Sequence, residues 1–284
     1  ERMPYLKQSL DRFNYFLNLD EYKKDGKSLE KIDTIEVKYL SYWYDNTEKP
    51  ALDNINMTIN NGDKIGIIGQ VGSGKTTLMN IISGFYEIPE GMVLINGEDI
   101  GKYKKDDLFS KYNYALQQNI ILDDTIKANV DITENLNNKE FHKIIKNAEL
   151  EEDIEKLEEK EDTLVGEKGV KLSGGQKQRV SIARNLSNAR DINIFDDTLS
   201  ALDSNTERKI MNNLLKQVGN NTLIVISNKI SSVEKLDKIY VLLDGKIEDC
   251  GTHEELLERN EFYKEVYMLE KKEEEDEIYT KEEY

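Results

Sequence analysis

Gly69-Gln70-Val71-Gly72-Ser73-Gly74-Lys75-Thr76-Thr77 is the stretch whose residue types and spacing most clearly specify a chemistry. Glycines let a backbone wrap an anion with no Cβ in the way, so that successive N–H groups point inward. A helix starting at such a loop adds the positive end of its dipole. Lys75 offers a cation to the outer phosphates, and Thr76 offers a hydroxyl of the hard-oxygen type that Mg2+ prefers. The spacing fits G-x-x-x-x-G-K-[S/T] and predicts a nucleotide bound with Mg2+. A second group serves the same metal. Ile192-Asn193-Ile194-Phe195 is an apolar run ending in Asp196 and Asp197. A carboxylate at the end of such a strand can hold Mg2+ directly or through water, although aspartate also serves there as an ordinary turn or helix cap. A third group is Leu172-Ser173-Gly174-Gly175-Gln176, where Ser-Gly-Gly opens a helix and makes a second anion-binding N-terminus. Two phosphate-binding helix ends in one chain make sense if one of them completes a site on a neighbouring chain.

These loops need supports, and the hydrophobic pattern supplies them. Short β-type runs occur at 35–39, 55–59, 64–68, 92–95, 112–116, 192–195, 222–227 and 238–243. Helical patterns occur at 76–82, 139–149 and 154–159, and Asp244-Gly245 signals a hairpin. Strands alternating with helices give an α/β class, here with a flanking antiparallel β portion and a helical insert at about 118–175. The acidic runs 149–152 and 155–161 read as a solvated helix face. Leu6, Leu10, Phe13 and Leu17 form one helical stripe near the start. The segment 270–284, with eight acidic and three basic side chains, is expected to be disordered.

Composition sets limits on function. The chain has 284 residues and a formal net charge of −17, which argues against a surface for DNA or RNA, so no nucleic-acid partner is expected. One cysteine, Cys250, excludes an internal disulfide framework, and two histidines, His142 and His253, argue against a His-rich metal site. No apolar run is long enough to cross a membrane as a helix.

Taken in order, the phosphate loop, Gln117, the Leu172–Gln176 element, Asp196 and then Ser200-Ala201-Leu202-Asp203 resemble the nucleotide-binding domain of ATP-binding-cassette (ABC) exporters over residues 33–268. The resemblance implies a P-loop NTPase core of the RecA-like kind, with a helical subdomain carrying the signature Leu172–Gln176. It implies ATP and Mg2+ as cofactors, with Thr76, Gln117 and Asp196 around the metal. Ser200–Asp203 matches the D-loop that links two sites across a dimer. Tyr44 matches the aromatic that stacks on adenine, although without the resemblance the residue reads as a core or edge-strand tyrosine. Thr163–Gly169 resembles a loop found just before the signature in exporters. Residues 1–31 resemble the linker helix descending from an exporter's last membrane helix, which leads us to expect a piece of a longer protein at the cytosolic face of a membrane. In the family two such domains pair head to tail around ATP, each signature acting in trans on the partner's nucleotide.

Two positions depart from the family pattern. Asp197 stands where the catalytic glutamate is usual, and Asn228, in Ile226-Ser227-Asn228-Lys229, stands where the switch histidine is usual. Aspartate is one methylene shorter, and asparagine can hydrogen-bond a phosphate but carries no positive charge. Lys75, Gln117, Asp197 and Asn228 are thus the catalytic set of a slow site, while the signature remains intact. That combination favours the degenerate half of a heterodimeric exporter. A homodimer with two slow sites and a regulatory module with negligible hydrolysis are the alternatives.

Overall fold

The computed structural model describes residues 25–116, 118–200 and 202–282. The stripe at Leu6–Leu17 lies outside them, as do Gln117 and Ala201.

The α/β core is a six-stranded sheet. In sequence order its strands are β3 (Lys64–Ile68), β6 (Tyr112–Ala115), β7 (Ile192–Asp196), β8 (Thr222–Ser227), β9 (Lys238–Leu243) and β10 (Lys246–Gly251). Across the sheet they run β10-β9-β3-β8-β7-β6, parallel except for β10. Strands β7 and β8 are buried at every position, as expected for parallel strands covered on both faces. Alternate residues feed two different cores. Ile194, Ile224 and Ile226 face one, and Phe195, Leu223 and Val225 face the other. The turn between β9 and β10 is the hairpin expected from Asp244-Gly245, with both residues at positive φ.

The flanking sheet is antiparallel, in the order β2 (Leu52–Asn60), β1 (Thr34–Tyr42), β4 (Val93–Ile95), β5 (Glu98–Asp99). Residues 27–31, placed with the linker by the resemblance, are pinned to this part of the body. Lys27 N–H donates to Lys102 O, Lys104 N–H to Lys27 O, and Leu29 is buried.

The insert is helical, as expected: α3 (Ile126–Val130), α4 (Asn138–Asn147) and α5 (Glu151–Glu155) follow α1 (Lys75–Ile82) and α2 (Lys105–Phe109). It packs on α6 (Gly174–Ser187) through Phe141, Ile144 and Ile145, and α6 in turn buries Val180, Ile182 and Ala183. Arg184 clamps the joint, donating from Nε to Asn129 O and from Nη1 to Ile120 O. The second acidic helix is shifted from its pattern, starting at Glu151 rather than at Ile154. α5 ends at Glu155, and the chain continues through three-residue turns at Leu157, Lys160 and Asp162. The acidic tail also differs from expectation. Following α7 (Ser204–Val218) and α8 (His253–Arg259), α9 runs over Glu261–Glu282, and its first turns insert Tyr263 into the core. Glutamate and lysine are strong helix formers once a helix is anchored at one end.

Candidate functional site

Three neighbouring strands deliver the candidate residues to one edge of the sheet. β3 runs into the Gly69–Thr77 loop, β7 ends at Asp196, and β8 leads to Asn228. This is the carboxyl edge, where open parallel sheets place their ligands. The cleft formed there has a volume of about 440 Å³ and is lined by Tyr44, Val71, Gly72, Lys75, Thr76, Thr77, Asp196, Asp197 and Asn228, among others.

The loop is shaped by what lies behind it. A Cβ on Gly69 would stand 2.0 Å from Leu242 O, so no other residue fits there without moving strand β9. Gly72 has φ +83° and open space where a Cβ would be, which leaves the cradle unobstructed. Ser73 is buried, and its Oγ has no hydrogen-bond partner. Gln70 O accepts from Ser73 N–H, and Val71 is almost fully exposed at the rim. Gly74, in the left-handed conformation, is the N-cap of α1. Lys75 folds back over the loop and donates to Gly69 O at 2.7 Å and Gln70 O at 2.8 Å. Burial lowers its pKa, and the charges of Asp196 and Asp197 oppose that shift. A lysine held over open backbone N–H groups, next to a polar orphan, is a fit for polyphosphate.

Asp196 is buried, which raises its pKa. Hydrogen bonds from Thr76 and Tyr114 pull the other way, and Asp197 adds to the rise. Two of the three residues expected around Mg2+, Thr76 and Asp196, are therefore adjacent, the third, Gln117, lying outside the described residues, and a divalent cation would relieve the cost of the buried carboxylate. Asp197 has φ +49°, a conformation that aspartate tolerates better than most side chains. Its N–H donates to Ile226 O, which ties it to the strand leading to Asn228. Asn228 itself is exposed at the cleft.

Tyr44 lies at the mouth of the cleft. It follows β1, is 41% exposed, and lines the cleft, with its hydroxyl 2.8 Å from Thr77 Oγ1. Tyr42 and Tyr86 stack behind it, and both meet the Tyr44 ring edge-on.

The structure does not bring the signature into this cleft. None of Leu172, Ser173, Gly174, Gly175 or Gln176 lines it. Ser173 and Gln176 form a capping box at the start of α6, and Ser173 and Gly174 are exposed. In the Ser200–Asp203 segment, Ser200 Oγ donates to Asp197 O, Leu202 is buried, and Asp203 caps α7 by accepting from Thr206 N–H. Sequence reasoning missed Tyr114, whose hydroxyl reaches Asp196, and Asp153, which holds the signature helix through Gln176 and Arg179. The only sequence signal for Tyr114 is its alternation on β6 with residues facing away from the site.

Comparison with known proteins adds four findings. Residues 52–200 match the family described as ABC transporter. An ATP-dependent lipid A-core flippase of Photorhabdus laumondii is 37% identical over 257 residues, covering 89% of this chain and 44% of that protein. The flippase of the same name in Escherichia coli K12 is 35% identical over the same shares. Among solved structures, a bacterial Atm1-family ABC exporter with ATP bound matches with a TM-score of 0.82 and 28% identity, over 93% of this chain and 47% of that one. The chain thus spans less than half the length of these relatives.

Proposed function

The chain belongs to the ABC transporter family, and from that premise we infer that it is the ATP-binding, energy-coupling domain of a membrane exporter, with a slow site of its own. The carrying observation is the single cleft in which Lys75, Thr76, Asp196, Asp197 and Asn228 meet.

In that cleft Lys75 and the Gly69–Gly74 backbone hold the phosphates, Thr76 and Asp196 hold Mg2+, and Tyr44 takes the base. Mg2+, when bound, neutralises charge on the outer phosphates. Asp197 orients the attacking water, with Gln117 as its companion. Because its carboxylate is one methylene shorter than glutamate's, it stands on the order of 1 Å back, a displacement that costs about 10²-fold in rate. Asn228 donates a neutral hydrogen bond to the terminal phosphate and supplies no charge. The exposed signature at Ser173–Gly174 acts in trans on the ATP of a second nucleotide-binding domain, and Ser200–Asp203 lies between the two sites. A partner carrying the usual glutamate and histidine is favoured, because an intact signature is useful only opposite a competent site.

The exporter reading is supported by the names of the relatives and by their greater length. Membrane-spanning segments, absent as helices among the described residues, would choose the cargo and place this domain at the cytosolic face. Steady-state ATPase tests the reading. Turnover is expected to be low for this chain alone and to rise when it is mixed with a complementary domain. Asp197→Glu combined with Asn228→His is expected to raise turnover of the chain alone. Unchanged turnover in both experiments refutes the slow-site assignment.

A further inference from the structure

Behind Asn228 lies a buried polar knot that takes no part in lining the cleft. Glu207, on α7, is 1% exposed, and its Oε1 accepts from the hydroxyls of Ser231 and Ser232. Lys229 Nζ stands 3.9 Å from Glu207 Oε2 and donates to Ser200 O at 3.1 Å. From the far side, Glu270 of α9 presents its carboxylate to the turn after β8, accepting from Ile230 N–H through Oε1 and from Ser231 N–H through Oε2.

The knot has a direction. Asn228 is exposed in the cleft, but the residue on each side of it is tied down. Ser227 Oγ accepts from Lys229 N–H and lies 3.3 Å from Ser232 Oγ. Lys229 reaches Ser200, and Ser200 Oγ in turn donates to Asp197 O. The two positions that depart from the family pattern, Asp197 and Asn228, are therefore joined through Ser200 and Lys229, and the C-terminal helix holds the junction through Glu270. A buried carboxylate at Glu207 with the half-buried carboxylate of Glu270 nearby is costly, and one lysine offsets it incompletely. Burial and the nearby charge of Glu207 raise the pKa of Glu270, while its two backbone donors and Lys229 oppose the rise. Fixed geometry is what such an arrangement supplies in return.

We propose that Glu207, Lys229 and Glu270 are positioning residues that set Asn228 against the terminal phosphate, and that the C-terminal helix thereby governs how well the site distinguishes ATP from ADP. This rests on the reading of Asn228 as the contact to that phosphate.

The test is equilibrium binding of ATP and of ADP, each with Mg2+, to the full 284-residue chain. Preference is read as the ratio of the two dissociation constants, and thermal melting monitors folding. Glu270→Ala and Lys229→Met are expected to lower ATP preference by up to about tenfold, the weight of one hydrogen bond, with ADP affinity unchanged. Lys229→Arg, which keeps the donors and the charge, is expected to retain the preference. Asn228→Ala separates the two levels of the reading. If it leaves the preference intact, the role of Asn228 fails and this proposal falls with it. If it lowers the preference while folded Glu270→Ala and Lys229→Met do not, the positioning role alone is overturned. Equal loss of ATP and ADP affinity in either variant also overturns it. Should Glu270→Ala not fold, the comparison of Lys229→Met with Lys229→Arg decides.

Discussion

The Tyr114 hydroxyl donates to Asp196 Oδ2 at 3.2 Å, joining two neighbouring strands at the point where a metal ligand is expected. Burial and the adjacent carboxylate drive the pKa of Tyr114 far above its ordinary value, so the phenol stays protonated and remains a donor. Its bond is one of the two that offset the burial of Asp196. Tyr114→Phe removes that bond while keeping the ring in place. The Mg2+ concentration needed for half-maximal nucleotide binding is expected to rise by about tenfold, at the low end for lost outer-sphere partners. Binding of nucleotide without Mg2+ should not change. A Mg2+ titration indistinguishable from that of the unmodified chain would show that the tyrosine only packs.

Gly69 and Gly72 stand three residues apart in one loop and resist substitution for different reasons. Gly69→Ala forces a Cβ into Leu242 O, so loop or strand must shift, at a cost of about 3 kcal/mol of fold stability. Gly72→Ala meets no atom within 4 Å, and its cost of about 1 kcal/mol comes from the positive φ alone. Urea unfolding of the two variants should separate them clearly. Equal midpoints would mean that the Gly69 loop relaxes freely.

What could be read directly from the chain was whatever is encoded locally. The strand, loop and helix around Lys75 follow one another without interruption, and Asp244-Gly245 is sufficient by itself to define a hairpin. Asp196 was legible because an apolar strand ends in it. Tyr114 was not, because its partner lies 82 positions away on another strand. Composition misled at α9, where dense charge reads as disorder. The helix is anchored by the burial of Tyr263 and by the grip of Glu270 on Ile230 and Ser231, neither of which shows in a charge count. Residues 27–31 fall inside the stretch expected to be linker, and what holds them, at Lys102 and Asp107, is supplied by the fold rather than by neighbours in the chain.

The join between β10 and α8 carries a pH signature. Arg259 grips Asp249 through Nε and Nη2, and also donates to Cys250 O. The bond from Arg259 lowers the pKa of Asp249 below its ordinary value of 3.8. A depressed carboxyl adds stability that is fully present above the unfolded value and is lost as pH falls through the folded one. Asp249→Asn should therefore melt below the unmodified chain at neutral pH. The gap should close on acidification below pH 3.8, and it should shrink at high salt because the guanidinium is exposed. A gap constant from neutral to acid pH would assign the effect to the lost acceptor geometry and remove the charge from the explanation.

Asp153 sits between the two acidic runs that otherwise face solvent, yet its carboxylate is directed inward. Oδ1 accepts from Gln176 Nε2 at 2.9 Å, and Oδ2 pairs with Arg179 Nη2 at 2.5 Å. Both partners lie on α6, so Asp153 braces the helix whose first turn carries Ser173 and Gly174. Gln176 is held twice, because its Oε1 also accepts from Ser173 N–H. Asp153→Ala would release Arg179 and remove one of the two bonds on Gln176 without touching the cleft at Lys75. If the signature serves a neighbour's nucleotide, the variant should bind ATP as tightly as before, yet activate a complementary domain less. A fall of about tenfold in the ATPase of the mixed pair is expected, the effect of a misplaced binding element far from the chain's own chemistry. Arg179→Lys, which keeps the charge and loses the planar donor fork, should fall between the two. A variant that weakened this chain's own ATP binding and left the mixed pair unaffected would place the signature's role in cis.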